Sequence, residues 1–461
     1  MAEPTRCDIL VRDALIATFD TEDSFLPDGA IAITGNRIVA VGPTDEVTSR
    51  FAADKTIRAA GLYAIPGLIN SHNHSPLGVT RGLIEDSTVA PMYTRSVPQG
   101  HLLSAEESLA LARLGHYELL RSGCTTVVDF YRQPATLAQA ADEIGTRAVI
   151  TGRIHDIDLD LLTEKRMVHR DAVGEETVQE TLDLIAKWDG AAGGRITCEF
   201  GVHGTDTCSA SLLRRVGDLA ATHGGRIHLH LAHAKGEVAY VQERDGMTPT
   251  QLLADVGLLG QKLVAAHCVF IDGADRQRLG DAKVTVAHAP HQNAPAGNSA
   301  PIRELEAAGA QITLCTDARS GNLFEAMRLA IASWRLRNGG YEPNARRALS
   351  WAVDGAAKAF GWQDLGRIEA GCRADIVLLD RRDPNMAPII DGYGILAYSA
   401  NGSNVDTVIV DGKVRLAGKQ PVGFDGQAVV RDAQAVAERL WLRCGQRRAI
   451  TATSAILDAA H

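Results

Sequence analysis

The stretch that decides the fold is "PGLINSHNHSP", residues 66–76, in which an apolar run ends in His72, Asn73 and His74 rather than in a turn. Side chains alternate between the two faces of a strand, so residues two apart point the same way. If the run is a strand, His72 and His74 therefore face a common point at its carboxyl end. Whether that point is a functional site depends on the segments around the run.

Short β-branched runs alternate with longer segments of helical period from residue 64 onward. The predicted strands are "YAIPGLINSH", "TTVVDFY", "RAVITGRIH", "ITCEFGVH", "RIHLHLA", "KLVAAHCVF", "KVTVAHAP" and "QITLCTDA". Between the first two lies a predicted helix, with Ser104 and Glu107 as a capping box and Gly123 at its end. Eight strands with helical connections are the number that closes a parallel barrel. We therefore predict an α/β fold with a (β/α)8 TIM barrel over residues 62–362.

The segments on either side of this barrel have a different sequence pattern. Residues 1–61 and 363–430 contain alternating runs separated by tight turns, as in "GAIAITGNRIVAVG" and "VDTVIVDGKVRLAG". The two segments are predicted to pair into one small β-sandwich domain beside the barrel. Residues 431–461 begin with an amphipathic pattern that predicts a C-terminal helix.

The charge and composition of the 461-residue chain narrow the classes of function. A formal net charge of -9 disfavours binding to nucleic acid or to an anionic membrane, since both attract basic surfaces. The eight cysteines are scattered without paired C-x-x-C spacing, which indicates reduced thiols and a cytoplasmic protein. We expect a small-molecule substrate and no nucleic-acid or membrane partner.

Polar side chains occur at most of the other predicted strand ends. They are His203, His228, His230, His267, His288 and Asp317. A closed parallel barrel brings the carboxyl ends of its strands together, and barrel enzymes have their active sites at that end. Three or four imidazoles with one carboxylate are typical ligands of a transition metal, with zinc the default and iron, cobalt or manganese as alternatives. His228 is expected to lie one layer deeper, as a core histidine.

Four motifs resemble those of the amidohydrolase superfamily: "PGLINSHNH" (66–74), "HLHLAH" (228–233), "VAAHCV" (264–269) and "LCTDA" (314–318). The chain is most similar to the subgroup of triazine hydrolases, guanine deaminase and S-adenosylhomocysteine deaminase, over nearly its whole length. The resemblance implies a metal held by His72, His74, His230 and Asp317. It also implies two catalytic roles: His267 contacts the attacking water or the carbonyl oxygen, and Asp317 carries a proton from that water to the leaving group.

The sequence also indicates how many metal ions the site would hold. Several superfamily members bridge two metals with a carboxylated lysine at the end of strand four, but no lysine occurs here between Lys187 and Lys235. We therefore expect one divalent ion. The function implied is a mononuclear amidohydrolase of the deaminase type, which hydrolyses a carbon–nitrogen bond of a small cyclic or aromatic compound.

One position departs from the family pattern. Relatives that deaminate aromatic rings usually have glutamate three residues after the histidine of strand five, and here that residue is His233. We expect His233 to transfer protons, because histidine titrates near neutral pH, with packing or ligand contact as the alternative. His203, His288 and Tyr93 are expected to contact substrate. A structural role for His203 and a supporting position for His288 remain open, and Tyr93 lies in a long connection expected over the barrel mouth.

The same departure keeps other reactions open. These are hydrolysis of a urea, carbamate or thiocarbamate bond, as in phenylurea and molinate hydrolases, and hydrolytic dechlorination of a triazine. A catalytically inactive scaffold protein is a remote alternative, because such relatives lose metal ligands that this chain retains. Homo-oligomers are common in the family, and we expect one here by analogy.

Overall fold

The structure, a computed structural model, describes residues 3–82, 97–98 and 102–444. Its named strands fall into two sheets. In chain order they are β1 (Thr5–Ala17), β2 (Phe25–Thr34), β3 (Arg37–Pro43), β4 (Phe51–Arg58), β5 (Leu62–Pro66), β6 (Leu68–Asn73), β7 (Cys124–Phe130), β8 (Arg147–Thr151), β9 (Ile196–Gly204), β10 (Ile227–Leu231), β11 (Leu263–His267), β12 (Thr285–His288), β13 (Gln311–Leu314), β14 (Ile376–Asp380), β15 (Val405–Val410), β16 (Lys413–Ala417) and β17 (Gln420–Pro421).

The barrel is the eight-stranded sheet from β6 to β13, in which each strand pairs in parallel with the next along the chain. Its two edge strands meet through the residue Asp317, just after β13. The Asp317 N–H donates to the carbonyl of His72 (3.1 Å), and the Asp317 carbonyl accepts from the N–H of His74 (3.3 Å). The predicted α/β barrel is confirmed, and its closure brings Asp317 beside the end of β6.

Helices form most of the connections. They are α1 (Thr44–Arg50), α2 (Ala105–Arg121), α3 (Pro134–Ile144), α4 (Leu159–Thr163), α5 (Asp171–Trp188), α6 (Ala191–Gly194), α7 (Ala210–His223), α8 (Lys235–Asp245), α9 (Pro249–Asp255), α10 (Gly273–Asp281), α11 (Pro290–Asn293), α12 (Ile302–Ala308), α13 (Leu323–Asn338), α14 (Ala345–Ser350), α15 (Asp354–Ala359), α16 (Gly392–Tyr398) and α17 (Gly426–Arg443). Helix α2 has the predicted capping box: the Glu107 N–H donates to Ser104 Oγ (3.2 Å), and the Ser104 N–H donates to Glu107 Oε2 (2.9 Å). Beyond the helix, Gly123 has φ 83°, a conformation that suits glycine.

The second sheet joins both ends of the described chain. Its order is β17-β16-β15-β14-β5-β1-β2-β3, with β4 also paired to β1. Strand β14 runs antiparallel to β5, with Leu378 opposite Ala64, and β5 runs parallel to β1. The N-terminal and C-terminal segments therefore share one mostly antiparallel sheet, as the sequence predicts.

The run that predicts the first barrel strand is divided between the two sheets. Residues Leu62–Pro66 form β5 in the second sheet, whereas Leu68–Asn73 form β6 in the barrel. Gly67 lies between them and against β7, where an added Cβ would be 2.0 Å from Thr125 Oγ1. The predicted barrel segment starts at residue 62, so it includes one strand that belongs to the small sheet.

The C-terminal helix packs against the barrel. Helix α17 begins at Gly426, five residues before the predicted segment 431–461, because the Asp425 side chain caps it by accepting from two backbone N–H groups. The Trp441 indole N–H donates to the Val79 carbonyl (2.7 Å), next to the end of β6. Residues 445–461 of the predicted helix lie outside the described residues. Among the described helices, none has both the length and the apolar character needed to cross a membrane.

Candidate metal centre and active site

Four buried side chains converge at the carboxyl end of the barrel. His72 lies in β6 and His74 directly follows it, His230 lies in β10, and Asp317 follows β13; one ligand atom from each lies within 4.8 Å of the others. The Nε2 atom of His230 is 3.2 Å from both His72 Nε2 and His74 Nε2. Ligands about 2.0–2.1 Å from a tetrahedral zinc ion lie about 3.4 Å apart. The structure thus brings together all four residues predicted as ligands.

Hydrogen bonds on the far side of two rings fix which nitrogen faces the centre. Nδ1 of His74 donates to the Phe130 carbonyl (2.5 Å), and Nδ1 of His230 donates to the His203 carbonyl (2.6 Å). In the neutral rings, the Nε2 atoms then carry lone pairs rather than protons. Two lone pairs 3.2 Å apart repel unless a cation lies between them. The donor set therefore fits a divalent metal ion.

Electrostatics keep the central rings neutral. Burial, and then the positive charge that neighbouring imidazoles would carry, lowers the pKa of both His72 and His230 well below the usual histidine value. A neutral imidazole is the form that binds a metal. Both rings are thus in the binding form at neutral pH.

The backbone at two site residues is in an unusual conformation. His267 has φ 74° and Asp317 has φ 61°, in the left-handed region that non-glycine residues rarely adopt. Such a conformation costs of order 1–3 kcal/mol and is concentrated at functional sites. It occurs here where two strands end and their side chains turn toward the same point.

His267 lies beside the four ligands rather than among them. Its Nε2 is 3.3 Å from Asp317 Oδ2, and its Nδ1 donates to Asn293 Oδ1 (3.1 Å). Burial lowers the pKa of His267, while the charge of Asp317 partly opposes this. The ring is held in one orientation, with a nitrogen directed toward the carboxylate that is predicted to move protons.

His233 follows β10 and is paired with a carboxylate. Its Nδ1 donates to Glu237 Oε2 (2.7 Å), and its ring centroid lies 6.1 Å from that of His230 and 5.9 Å from that of His267. Although burial alone would lower it, Glu237 raises the pKa of His233 to about 9. The ring is therefore a cation at neutral pH and is placed within reach of the centre.

A cavity of about 670 Å³ opens over these residues. This volume is within the range of small-molecule sites. His203 lines the cavity, with its ring centroid 5.0 Å from that of His230, and its Nδ1 is 2.8 Å from Thr207 Oγ1. Other walls are formed by Tyr131 and Phe270, so the cavity offers apolar surface as well as polar groups.

Arg153, which follows β8, brings a positive charge to the cavity wall. It is 4% exposed, and its guanidinium lies over the Tyr131 ring, 4.8 Å from the centroid. Within the described part of the chain, neither its Nε nor its Nη2 has a hydrogen-bond partner. Burial lowers the pKa of Arg153. A buried cation with unpaired donors at a cavity wall can bind an anionic or carbonyl oxygen of a ligand.

Other predicted residues lie elsewhere. His288 is buried near His267, is not among the described residues that line the cavity, and burial lowers its pKa to about 3. His228 pairs with Glu199 (2.5 Å), as a core histidine would. Tyr93 lies outside the described residues. The predicted contacts of His288 and Tyr93 with substrate stay predictions.

Three residues of the site were not predicted from the sequence: Arg153, Glu237 and Asn293. Glu237 is four residues after His233 at the start of a helix, and this spacing of opposite charges is a signal that sequence can show. Arg153 lies two residues before the end of the predicted third strand "RAVITGRIH", and this position near a strand end is a signal that the sequence can show. Asn293 gives no such signal, since its contact with His267 depends on how the connection after β12 folds back.

Comparisons with known proteins agree with this geometry. The model of the amidohydrolase family matches residues 63–415, and that of an imidazolonepropionase-like composite domain of bacteria matches residues 29–53. A 5-methylthioadenosine/S-adenosylhomocysteine deaminase of Pelotomaculum thermopropionicum is 33% identical, and the match covers 94% of this chain and 98% of that protein. A 5'-deoxyadenosine deaminase of Methanosarcina mazei is 32% identical, over 95% of this chain and 99% of that protein.

Solved structures give the same result. An adenosine deaminase from Xanthomonas campestris with bound zinc has a TM-score of 0.86 at 25% identity, with 95% of this chain and 99% of that chain covered. The atrazine chlorohydrolase TrzN from Arthrobacter aurescens, complexed with zinc, has a TM-score of 0.80 at 26% identity, with 93% and 100% covered. The chain therefore belongs to the amidohydrolase family and is a hydrolase that acts on carbon–nitrogen bonds other than peptide bonds.

Proposed function

We propose that the protein is a deaminase that uses one zinc ion to replace the amino group of an adenine-type nucleoside, or of a related aminated ring, by oxygen. The observation that carries the proposal is the convergence of His72, His74, His230 and Asp317 at the base of a ligand-sized cavity. When bound there, a divalent ion acidifies water and so supplies a nucleophile at neutral pH. Iron, cobalt or manganese would offer the same chemistry.

The residues of the chain then share the proton transfers. Asp317 accepts a proton from the attacking water, because its carboxylate lies between His74 (3.9 Å) and His267 (3.3 Å) at the centre. His267 orients that water by a hydrogen bond, since its other nitrogen is fixed by Asn293. His233 donates a proton to the ring nitrogen next to the carbon under attack.

The proton balance closes over one turnover. The intermediate carries a hydroxyl and an amino group on the same carbon, and its ring nitrogen is protonated. Asp317 gives its proton to the amino group, and the C–N bond breaks to release ammonia. The hydroxyl proton then returns to His233, so both side chains end in their starting states and water plus amine has become carbonyl plus ammonia.

The class of substrate is inferred from the cavity and from the relatives. Two relatives at 32–33% identity are named for adenosine-type substrates. His203 and Arg153 line the cavity beside the centre, where they can hydrogen-bond the ring or a substituent. Tyr131 and Phe270 supply surface on which an aromatic ring can pack.

A second candidate is supported by His233. A cationic histidine can also assist departure of a leaving group other than ammonia, and the structurally similar TrzN is an atrazine chlorohydrolase. Dechlorination of a triazine, or hydrolysis of a urea, carbamate or thiocarbamate, is therefore the alternative reaction. The product separates these reactions: ammonia indicates deamination, chloride indicates dechlorination, and a substituted amine indicates cleavage of a urea, carbamate or thiocarbamate.

Metal analysis and a substrate panel test the proposal. Purified protein should contain one zinc per chain, should release ammonia from at least one adenosine-type compound in a panel with aminotriazines, phenylureas and thiocarbamates, and should lose activity on chelation. His74→Ala should lose the metal, whereas His223→Ala, at the exposed end of α7, should keep it. Full turnover by metal-free protein, or by His74→Ala, would refute the proposal.

We also propose that the protein is a cytoplasmic homo-oligomer. Support comes from its cysteines, all eight of which are free and seven of which are buried, as suits a reducing compartment. The oligomer rests on the family analogy alone. Light scattering of the purified protein decides its state, and a monomer at micromolar concentration would contradict the proposal.

A further inference from the structure

Glu237 places a carboxylate beneath the active-site cavity. It lies in the first turn of α8, and its side chain has no exposed surface. Burying a charge is unfavourable unless it is paired and hydrogen-bonded. The partners of this carboxylate therefore show what it does.

Both oxygens of Glu237 are fully engaged. Oε1 accepts from the Thr205 hydroxyl (2.7 Å) and from the Ala232 N–H (3.0 Å). Oε2 accepts from the N–H of His233 (2.8 Å) and from its Nδ1 (2.7 Å). The carboxylate thus binds the end of β9, the turn after β10 and the His233 ring at once.

These bonds determine how His233 can act. Because Nδ1 donates to Glu237, a proton delivered from His233 to a ligand must leave through Nε2. The Ala232 backbone has φ 47°, and the bond from its N–H to Glu237 supports this turn, which carries the ring to the cavity wall. Both the position and the tautomer of His233 depend on one carboxylate.

We propose that Glu237 is a positioning residue that holds His233 by Nδ1 and so makes Nε2 the proton donor to the substrate. The inference rests on the proposed function, in which His233 supplies that proton. Before the proton leaves, the charges of protonated His233 and of the Glu237 carboxylate cancel, so the buried pair has no net charge. After it leaves, the negative charge of Glu237 favours recovery of the proton from the hydroxyl of the intermediate.

Variants of the two residues test the proposal in the metal-loaded protein with the best substrate of the panel. Glu237→Gln should lower kcat by about 10- to 100-fold with little change in KM or zinc content, the loss typical when the partner that orients a functional histidine is removed. Glu243→Gln, at an exposed position of the same helix, is the matched control and should leave kcat unchanged.

Two further variant proteins, each changed at His233, distinguish positioning of the His233 ring from structural support of the turn after β10. In His233→Gln protein, adding Glu237→Gln should cause no further fall in kcat, since the ring through which Glu237 acts is gone. In His233→Glu protein, two carboxylates face each other, so adding Glu237→Gln should raise kcat. An equal fall in kcat on adding Glu237→Gln in all backgrounds would overturn the proposal and leave Glu237 a structural residue.

NMR of the imidazole nitrogens distinguishes failure of this inference from failure of the proposed function. If His233→Gln keeps full kcat, His233 transfers no proton and the proposed mechanism is wrong, whatever Glu237 does. The spectra still decide the positioning: wild-type protein should show His233 protonated and hydrogen-bonded at Nδ1, and Glu237→Gln should change that signal. An unchanged His233 signal would refute the role of Glu237.

Discussion

A single charged residue at the cavity wall, Arg153, has contacts that are poor for stability and favourable for binding. Its guanidinium is buried against Tyr131, and two of its nitrogens have no partner among the described residues. An unpaired buried donor costs about 1–3 kcal/mol. We therefore expect its partner to be a group of the bound ligand.

Replacing Arg153 by methionine removes the charge and keeps much of the volume. We expect KM to rise about 10- to 100-fold, since hydrogen bonds to a charged group contribute about 1.5–3 kcal/mol, with a smaller change in kcat. The free energy of unfolding should not fall, because the unpaired donors disappear with the charge. Steady-state kinetics and urea unfolding measure both. An unchanged KM with a lower stability would show that Arg153 is structural.

The pairing of His233 with Glu237 makes the stability of the protein depend on pH. Glu237 raises the pKa of His233 to about 9, against about 6.5 in the unfolded chain. The folded state thus binds the proton more tightly, so this stabilisation is complete below pH about 6.5 and is lost as pH rises through about 9. The free energy of unfolding should fall over this window.

His233→Gln provides the comparison for that prediction. Its free energy of unfolding should depend less on pH between about 6.5 and 9 than that of wild-type protein, since the shifted group is absent. Chemical unfolding of both proteins at matched pH values is the measurement. Parallel pH profiles would mean that the pKa of His233 is close to that of the unfolded chain.

The sequence predicts the centre better than the cavity around it. His72, His74, His230 and Asp317 occupy strand ends, and strand ends converge in any closed parallel barrel, so their meeting follows from the fold. The contact of His267 with Asn293 depends instead on the path of a connection between strands. Periodicity does not determine such paths.

Among the strands, the boundary between β5 and β6 depends on one small residue. Residues 62–73 form a single, mostly apolar run in the sequence. In the structure, however, the first part of the run pairs with β14 and the second part pairs with β7. Gly67 marks the change because the chain passes close to Thr125 there. The strand was predicted from its apolar pattern, but the division was not, because it depends on which neighbour each half meets.

Gly67→Ala should therefore destabilise the protein. The new Cβ would lie 2.0 Å from Thr125 Oγ1 and 2.6 Å from its Cβ, so Thr125 or the backbone must move. Such overpacking typically costs about 1–3 kcal/mol. Urea unfolding measures the loss. Thr125→Ala in the same chain should restore only part of it, since the Cβ contact persists.

Gly78→Ala is the matched control for this substitution. Among the described residues, its added Cβ would meet only an arginine nitrogen, Nη2 of Arg81, at 3.8 Å, an ordinary contact. Stability should change by less than about 0.5 kcal/mol, as is usual for substitutions without a clash. An equal loss of stability at both glycines would show that the loss comes from a change in chain flexibility and not from packing against β7.

The barrel and the sheet formed by both ends of the described chain are joined by a buried ion cluster. Arg147 begins β8 and donates to both carboxylate oxygens of Asp375 (2.8 and 3.0 Å) and to Asp411 (2.8 Å). Asp375 in turn accepts from the Asp411 N–H (2.7 Å). The cluster fixes the start of β14 and the turn after β15 against the base of the barrel.

Arg147→Met leaves the Asp375 carboxylate without this cation, whereas Asp411 keeps Arg373 at 3.6 Å. Removing one partner of a buried pair typically costs about 3–5 kcal/mol, because the other charge stays buried. We expect a loss of that size in urea unfolding, in contrast to the same substitution at Arg153, two of whose nitrogens have no partner among the described residues. Since Arg147 lies at the opposite end of its strand from the metal centre, protein that remains folded should keep its zinc and its KM. Reduced zinc content at unchanged stability would contradict this prediction, because it would mean that the small sheet acts on the site and not on the fold. Adding Asp375→Asn should recover part of the lost stability, since it removes the stranded charge.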